Sequence, residues 1–173
     1  SFGGKPIASA FFQQSSFATH ALALGRHAVK LPDDLPARLA AALPCGVQTG
    51  AGAILQSLDT RPGQGVAVYG VGAVGLSAIM AARLAGAAPI VAVDMNAQRL
   101  QLAVALGATH ALNAGDTDVV SSMREITGGG AQVSLDTSGK DVALRQDIDA
   151  MAIGGRLGIV TVPDWGQNYR LPI

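Results

Sequence analysis

The sequence predicts an α/β protein with a doubly wound parallel sheet and helices on both faces. Short apolar runs alternate with helix-length segments between residues 65 and 161. Strands that alternate with helices of about 10–15 residues indicate βαβ units and hence a parallel sheet. Hydrophobic residues make up 49% of the chain and charged residues only 14%, which excludes a disordered chain and allows one full domain with a core.

The elements of this fold follow one another in a regular order. Strands are predicted at Val66–Tyr69, Ile90–Asp94, 110–113, 132–136 and 156–161. Helices are predicted between them at Ala73–Leu84, Ala97–Leu106, 117–126 and 141–151. Asn96 is placed to cap the second helix, and Gly107 to end it. The usual doubly wound nucleotide fold has six strands, so we expect the last one to lie beyond Ile173.

The first third of the chain has a different pattern. Residues 33–59 predict two helices, with Pro36 in the first turn of one and Pro44 separating it from the next. The alternating stretches Phe17–Ala23 and His27–Leu31 predict strands of a β-rich unit. We therefore divide the chain into a partial β-rich segment at 1–31 and a doubly wound domain at 32–173, and we expect a piece of a longer protein because Ser1 replaces an initiator methionine.

Charge and composition exclude several classes of function. The formal net charge is +0, so no nucleic-acid footprint is expected. No apolar run approaches the roughly 20 residues that span a bilayer, and the start lacks the pattern of a signal peptide. A single cysteine excludes an internal disulfide and fits a cytoplasmic protein.

A glycine motif, Gly70-x-Gly72-x-x-Gly75, lies between the first predicted strand and its helix. Asp94 ends the next strand 19 residues after Gly75, which is the spacing of the acidic residue in dinucleotide-binding proteins. Gly70 allows the tight turn, Gly72 lets the backbone approach a pyrophosphate, and Gly75 allows close helix packing. This Rossmann-type reading has one alternative, a glycine-rich turn that binds no nucleotide.

Asp94 also predicts which dinucleotide is bound. Its carboxylate can accept hydrogen bonds from the adenosine ribose hydroxyls and would repel a 2′-phosphate, so NAD is favoured over NADP. Arg99 complicates this choice, because an arginine can accommodate that phosphate, but we expect it to flank the adenosine beside Asp94.

Longer runs of the sequence resemble a known family. LPCGVQTGAGAIL, followed by GQGVAVYGVGAVGLSAIMAARLAGAAPIVAVDMNAQRLQLAVALGATHALN, is similar to zinc-dependent medium-chain alcohol dehydrogenases. The run FFQQSSFATHALA resembles the end of that family's GroES-like catalytic domain, especially in benzyl and aryl alcohol dehydrogenases. The resemblance covers nearly the whole chain.

The resemblance implies roles for individual residues. Cys45 matches the third protein ligand of the catalytic zinc. Thr49, our candidate catalytic residue, matches a residue that presses on the nicotinamide ring and orients its reactive face. Phe11 and Phe12 fall where the family lines its substrate pocket. The other matches bind the cofactor: Gly70, Gly72, Ala73, Val74 and Gly75 at the loop, Asp94 and Arg99 at the ribose, and Thr137, Ser138, Gly139, Val160 and Val162 after the fourth and fifth strands.

Two departures limit the comparison. A catalytic zinc needs three protein ligands, and the family's upstream cysteine and its histidine or glutamate have no counterpart here. The four-cysteine structural zinc lobe is also absent. We read His20, His27 and His110 as surface or packing residues, and the three aspartates of the last predicted helix, Asp141, Asp147 and Asp149, as its solvated face.

The family implies a function for the full-length protein. It would be an NAD-dependent alcohol dehydrogenase that transfers a hydride between a primary alcohol and NAD, with zinc as Lewis acid, and would form a homo-oligomer. Phe11 and Phe12 would favour an aromatic or otherwise apolar alcohol. The chain alone is expected to bind NAD without turnover. Two alternatives stay open: a module that senses NAD without catalysis, and a zinc-free oxidoreductase similar to quinone reductases.

Overall fold

A computed structural model describes Gly4 and residues 19–161. The chain groups into two compact units, Ser1–Ala40 and Ala41–Ile173. The five predicted strands and four main helices all lie in the second unit. Phe11, Phe12 and Val162 lie outside the described residues.

In the first unit, the two strands predicted from alternating residues are wrong for the part that the structure describes. Residues 19–40 contain a short 3₁₀ turn at Gly25–His27 and a helix, α1, at Ala37–Ala40, and no strand. Every residue from 19 to 34 is exposed. A strand needs a neighbour to pair its N–H and C=O groups, and no described residue of this unit supplies one. The prediction of a helix after Pro36 is confirmed.

The second unit opens with three helical segments that follow one another without a break. A π-helical turn at Leu43–Val47 leads into an α-helical segment, α2, at Gln48–Gly52, and a second π-helical turn follows at Ala53–Ser57. Pro44 lies in the first of these turns, where its missing N–H costs no helix bond. The three segments together are called the Leu43–Ser57 helix below.

The sheet has five parallel strands. They are β1 at Val66–Tyr69, β2 at Ile90–Asp94, β3 at His110–Asn113, β4 at Ala131–Asp136 and β5 at Met151–Ile159. The spatial order is β3-β2-β1-β4-β5. The chain therefore builds one half of the sheet outward from β1 and then returns to place β4 on the other side of β1. This order confirms the predicted Rossmann-like fold, and its switch point lies between β1 and β4.

Four helices connect the strands. They are α3 at Ala73–Leu84, α4 at Ala97–Leu106, α5 at Val119–Thr127 and α6 at Asp141–Ala150. Local sequence fixes their ends. The Asn96 side chain accepts hydrogen bonds from the N–H groups of Gln98 and Arg99, and Gly107 ends α4 with φ of 131°. Asp118 caps α5 through the Ser121 N–H and hydroxyl, and these hydrogen bonds hold the pKa of its carboxyl below the ordinary value.

Alternate residues of the strands face two hydrophobic cores. Val66, Val68, Val133 and Leu135 point toward the core that includes Ile79 of α3. Ala67, Tyr69, Val91 and Val93 face the other core, which α5 and α6 cover with Met123 and Ala150. Each fully buried valine, leucine or isoleucine contributes roughly 1.5–3 kcal/mol, so the sheet is fixed firmly and its ends position the loops.

The last strand starts earlier than predicted, at Met151 rather than at residue 156. Its pairing with β4 passes from Met151 opposite Ala131 directly to Arg156 opposite Val133. The intervening residues form a bulge that sequence alternation did not reveal. No helix in the described part of the chain is long and apolar enough to cross a membrane.

Candidate nucleotide-binding site

A cavity of about 620 Å³ opens at the carboxyl ends of the central strands. Six of the residues that the sequence predicted for cofactor binding line it: Gly70, Gly72, Asp94, Arg99, Thr137 and Ser138. Asp94 ends β2, Arg99 lies on α4, and the other four come from the loops after β1 and β4, which meet at the switch point of the sheet. Open α/β sheets bind their ligands at this position.

Gly70 makes the sharp turn at the end of β1. Its φ is +82°, a left-handed conformation that favours glycine, and a Cβ there would lie 2.9 Å from the Ser138 backbone nitrogen. The Thr137 hydroxyl donates to the Gly70 carbonyl, and the Thr137 N–H donates to the Tyr69 carbonyl at 2.8 Å. The loops after β1 and β4 are thus joined at the floor of the cavity.

The start of α3 lies beside this turn. A Cβ on Gly75 would lie 2.0 Å from the Gly70 carbonyl oxygen, so only glycine lets the helix come this close. A Cβ on Gly72 would meet nothing within 4 Å, which leaves open space where Gly72 lines the cavity. No side chain caps α3, so the first N–H groups of the helix, including those of Ala73 and Val74, are available to an anion.

Asp94 is held in place at the end of β2. One carboxylate oxygen accepts from the Val71 N–H and the other from the Asn96 N–H, both at 2.8 Å. The side chain is only 11% exposed, while the Arg99 side chain is 57% exposed, and the nearest guanidinium nitrogen lies 3.9 Å from the Asp94 carboxylate. The carboxylate keeps lone pairs for further donors on the cavity side.

The loop after β4 completes the wall of the cavity. The Ser138 N–H donates to the Asp136 carboxylate at 2.7 Å, and the Ser138 hydroxyl accepts from the Lys140 N–H at 3.2 Å. Gly139 has a φ of +66°, which lets the chain turn into α6. Its Cβ position lies 3.5 Å from the side chain of Thr161, close to the end of β5.

A second, more open cavity of about 590 Å³ runs along the Leu43–Ser57 helix. Thr49 and Val160 line it, so the structure separates these two predicted residues from the Asp94 side of the site. Gly50 fixes the helix against α3, because a Cβ there would lie 2.1 Å from the Val74 carbonyl oxygen. Sequence reasoning missed this role, although a glycine inside a helical segment was its signal.

Cys45 is an exposed free thiol. No group of three or more histidine, cysteine, aspartate or glutamate side chains within the described residues could hold a metal ion. A catalytic zinc requires three protein ligands, so these residues alone do not fit one.

The structure shows that the prediction for Asp147 is wrong. It was assigned to a solvated helix face, but it is 1% exposed and accepts a hydrogen bond from the Ser134 hydroxyl. Burial raises the pKa of its carboxyl to about 7, the Ser134 hydrogen bond opposes the shift, and the charge of Asp136 adds to it. Burial together with the charges of Asp147 and Asp136 also raises the pKa of the Tyr69 hydroxyl. The sequence prediction failed because it placed Asp147 by polarity and not by helical position.

Sequence reasoning also missed residues of α6 and its approach. Lys140, Ala143 and Gln146 line the cavity although they follow the glycine loop by some 70 residues. Their spacing of three along a helix was the available signal, since such residues share a face.

The fold and the cavity define a class, a Rossmann-like α/β domain with a ligand site at the switch point of its sheet. Comparison with known proteins places the chain within that class. The family model described as zinc-binding dehydrogenase matches residues 73–172, and the chain belongs to this family. It corresponds to the cofactor-binding part of a medium-chain oxidoreductase similar to alcohol dehydrogenases.

Several relatives support this assignment. The chain is 48% identical to a geraniol dehydrogenase of Castellaniella defragrans, over 92% of this chain and 43% of that protein. It resembles the crystal structure of benzyl alcohol dehydrogenase from Acinetobacter calcoaceticus with a TM-score of 0.91 and 43% identity, over 94% of this chain and 45% of that one. An alcohol dehydrogenase zinc-binding domain protein from Burkholderia ambifaria gives a TM-score of 0.88 and 50% identity, over 92% and 43%. The chain thus spans about half the length of the relatives it matches.

Proposed function

We propose that this chain binds NAD along the carboxyl edge of its sheet and that the whole protein uses it for hydride transfer to or from a primary alcohol. The observation that carries the proposal is the cavity at the switch point. There the Gly70 turn, the uncapped start of α3 and the Asp94 carboxylate lie together. Fold, cavity and family all favour a dinucleotide over other ligands.

Each part of the site has a proposed task. The N–H groups at the start of α3 hold the pyrophosphate, and the missing side chain of Gly72 lets the backbone approach it. Asp94 accepts hydrogen bonds from the adenosine ribose. Thr49 and Val160 in the second cavity, with Val74 on α3, orient the nicotinamide ring. Bound NAD supplies the hydride acceptor or donor, and the residues of this chain fix its distance and face.

The same residues support NAD over NADP. Asp94 lines the cavity with its carboxylate held by two backbone N–H groups, so it cannot easily turn away from an added phosphate. Arg99 lies on the same side but close to Asp94, whose charge offsets its own. The negative charge of Asp94 therefore disfavours a 2′-phosphate more than the positive charge of Arg99 favours it.

The proposed substrate class follows from the relatives. Geraniol and benzyl alcohol are both primary alcohols whose hydroxyl-bearing carbon is attached to an unsaturated carbon, and dehydrogenases named for them match this chain. We propose an alcohol of this kind for the whole protein. Phe11 and Phe12, which lie outside the described residues, stay candidates for the apolar part of the substrate pocket.

The metal stays a proposal as well. Cys45 is proposed as one zinc ligand in the whole protein, as the family's name suggests. The described residues contain no complete set of zinc ligands, so the remaining ligands would have to come from elsewhere in the whole protein.

The first experiment measures binding of NAD and NADP to this chain by calorimetry. We expect NAD to bind roughly tenfold or more tightly than NADP, as expected for one charge repelling another at close range. Asp94→Asn keeps the shape of the side chain and removes its charge, so the ratio of the affinities for NAD and NADP should become smaller. The matched control is Asp149→Asn, which replaces an exposed aspartate on α6 and should keep the wild-type preference for NAD over NADP. Tighter binding of NADP by the wild type would overturn the assignment of Asp94.

The second experiment tests the reaction in the whole protein that contains this chain. Benzyl alcohol and geraniol should each drive the formation of NADH, which is followed by its absorbance. The chain alone should bind NAD and show no turnover. NAD binding with no reaction on any alcohol would instead support a sensing module.

A further inference from the structure

Four polar side chains lie buried beneath the candidate site. Tyr69 ends β1 and pairs in register with Asp136 at the end of β4, and Ser134 precedes Asp136 on the same face of the sheet. Asp147 of α6 covers them from above, with its carboxylate on the Ser134 hydroxyl. Tyr69, Ser134, Asp136 and Asp147 are each 0–1% exposed. We call them the buried acid cluster.

Three atoms of this cluster lack a hydrogen-bond partner among the described residues. They are the Tyr69 hydroxyl, Oδ2 of Asp136 and Oδ2 of Asp147. Two carboxylate oxygens without donors are costly in a buried environment, and the cost falls if one carboxyl carries a proton. A proton on Asp147 removes one of the two buried negative charges and turns one of its oxygens from an acceptor into a donor.

The charged groups around Asp147 favour the protonated form. Asp136 on β4 adds a negative charge, and Tyr69 on β1 is neutral because burial raises its pKa. On the neighbouring α5, the Arg124 guanidinium bonds the Asp149 carbonyl at 2.7 Å. On β5, the Arg156 guanidinium bonds the Asp59 carbonyl at 3.2 Å.

The remaining charged groups lie on α6 itself. Asp141, Arg145 and Asp149 are exposed, and Asp141 and Arg145 form an ion pair along the helix. Within the part of the chain that the structure describes, the Asp147 carboxylate accepts a hydrogen bond from the Ser134 hydroxyl, and its Oδ2 has no hydrogen-bond partner.

We propose that Asp147 is a positioning residue for the coenzyme. Its carboxyl carries a proton when the coenzyme is bound, and loss of that proton places a second negative charge in the buried acid cluster and weakens coenzyme binding. This inference rests on the proposed function. The cluster touches the site directly, because Asp136 holds the Ser138 N–H and the Tyr69 carbonyl accepts from the Thr137 N–H. A change of charge at Asp147 therefore acts on the loop that lines the cavity.

Electrostatics gives the direction and the size of the effect. The coenzyme carries a negatively charged pyrophosphate, and a new negative charge beneath the site repels it. For charges about 10 Å apart at an effective dielectric constant of about 20, the change in affinity is roughly tenfold. The raised pKa of Asp147, about 7, places the change near neutral pH.

The test measures the Kd of NADH by fluorescence across the neutral pH range for three proteins. The wild type should bind NADH roughly tenfold more weakly at a pH above the Asp147 titration than at a pH below it. Asp147→Asn carries no titrating proton and should show a flat profile, and Asp149→Asn should follow the wild type. A wild-type profile in Asp147→Asn would overturn the proposal, and so would a flat profile in the wild type.

A second measurement uses the wild type alone and needs no variant. Carbon-13 NMR of the Asp147 carboxyl and the amide signal of Ser138 should titrate with a common midpoint near neutral pH. NADH at saturation should raise that midpoint by about one pH unit, because linkage is reciprocal. If NADH does not bind while both signals titrate together, the proposed function fails and the coupling of Asp147 to the loop stands. If Asp147 titrates and Ser138 does not respond, the positioning role fails.

Discussion

The stability of the fold should depend on the ionisation of Asp147. Burial raises the pKa of this carboxyl from 3.8 to about 7, so the folded state binds the proton more tightly than the unfolded state. The stabilisation is complete below the unfolded pKa and is lost as pH rises through the folded pKa. A shift of about three units at about 1.4 kcal/mol each gives on the order of 4 kcal/mol between about pH 4 and pH 7.

Asp147→Asn isolates this contribution. The amide stays neutral, and its oxygen can still accept from the Ser134 hydroxyl. The difference in unfolding free energy between variant and wild type should therefore move in favour of the variant by up to about 4 kcal/mol as pH rises over this range.

Urea denaturation at several pH values measures this difference, and the titrations of other groups cancel in it. Asp149→Asn is the control on the exposed side of the same helix, and its difference from the wild type should stay nearly constant with pH. A constant difference for Asp147→Asn as well would refute the reasoning, because it would mean that the buried carboxyl does not titrate in this range.

Two further predictions concern the glycine loop and a helix cap. Gly72→Ala should change the free energy of unfolding by no more than about 0.5 kcal/mol and should weaken NADH binding. Gly75→Ala should lower the free energy of unfolding by about 2 kcal/mol or more, because its Cβ would lie 2.0 Å from the Gly70 carbonyl oxygen. Equal losses of stability in thermal unfolding would contradict this distinction. Asn96→Ala should cost about 1 kcal/mol in urea denaturation, because it removes the cap on two N–H groups of α4, and Asn96→Asp should restore most of it.

Most of the sheet and its helices could be predicted because local signals mark their ends. Helices α3 and α4 have the predicted bounds, since glycines precede α3 and Asn96 and Gly107 enclose α4. The parallel sheet followed from strand–helix alternation, a property of neighbouring residues. These features depend on interactions within a few residues, which a single sequence displays directly.

The failures all depend on partners that are distant in the sequence. The stretch His27–Leu31 alternates like a strand, but the described residues of its own unit contain no strand with which it could pair. Asp147 looks like a surface residue until α6 is packed on β4, which brings Ser134 to its carboxylate. The bulge in β5 is equally invisible, because it exists only in the pairing with β4.

The residues of the candidate site also fall into two groups, those that sequence spacing could predict and those that only the fold brings together. The motif Gly70-x-Gly72-x-x-Gly75 and the acidic residue Asp94 could be found by spacing, and the structure brings Gly70, Gly72 and Asp94 to one cavity. Lys140 and Gln146 reach that cavity because β4 pairs with β1 in the sheet; their spacing indicates a shared helix face but not this pairing. The binding roles of these residues stay predictions until the calorimetry is done.

The contact between Gly50 and the Val74 carbonyl has a consequence for redesign of the protein. Since a Cβ at Gly50 would overlap the Val74 carbonyl oxygen and the Ala78 nitrogen, the Leu43–Ser57 helix and α3 can lie this close only with glycine at that position. The placement of Thr49 and Cys45 on the Leu43–Ser57 helix therefore depends on this backbone contact with α3. A redesign of the second cavity should change the side chains that line it and keep Gly50.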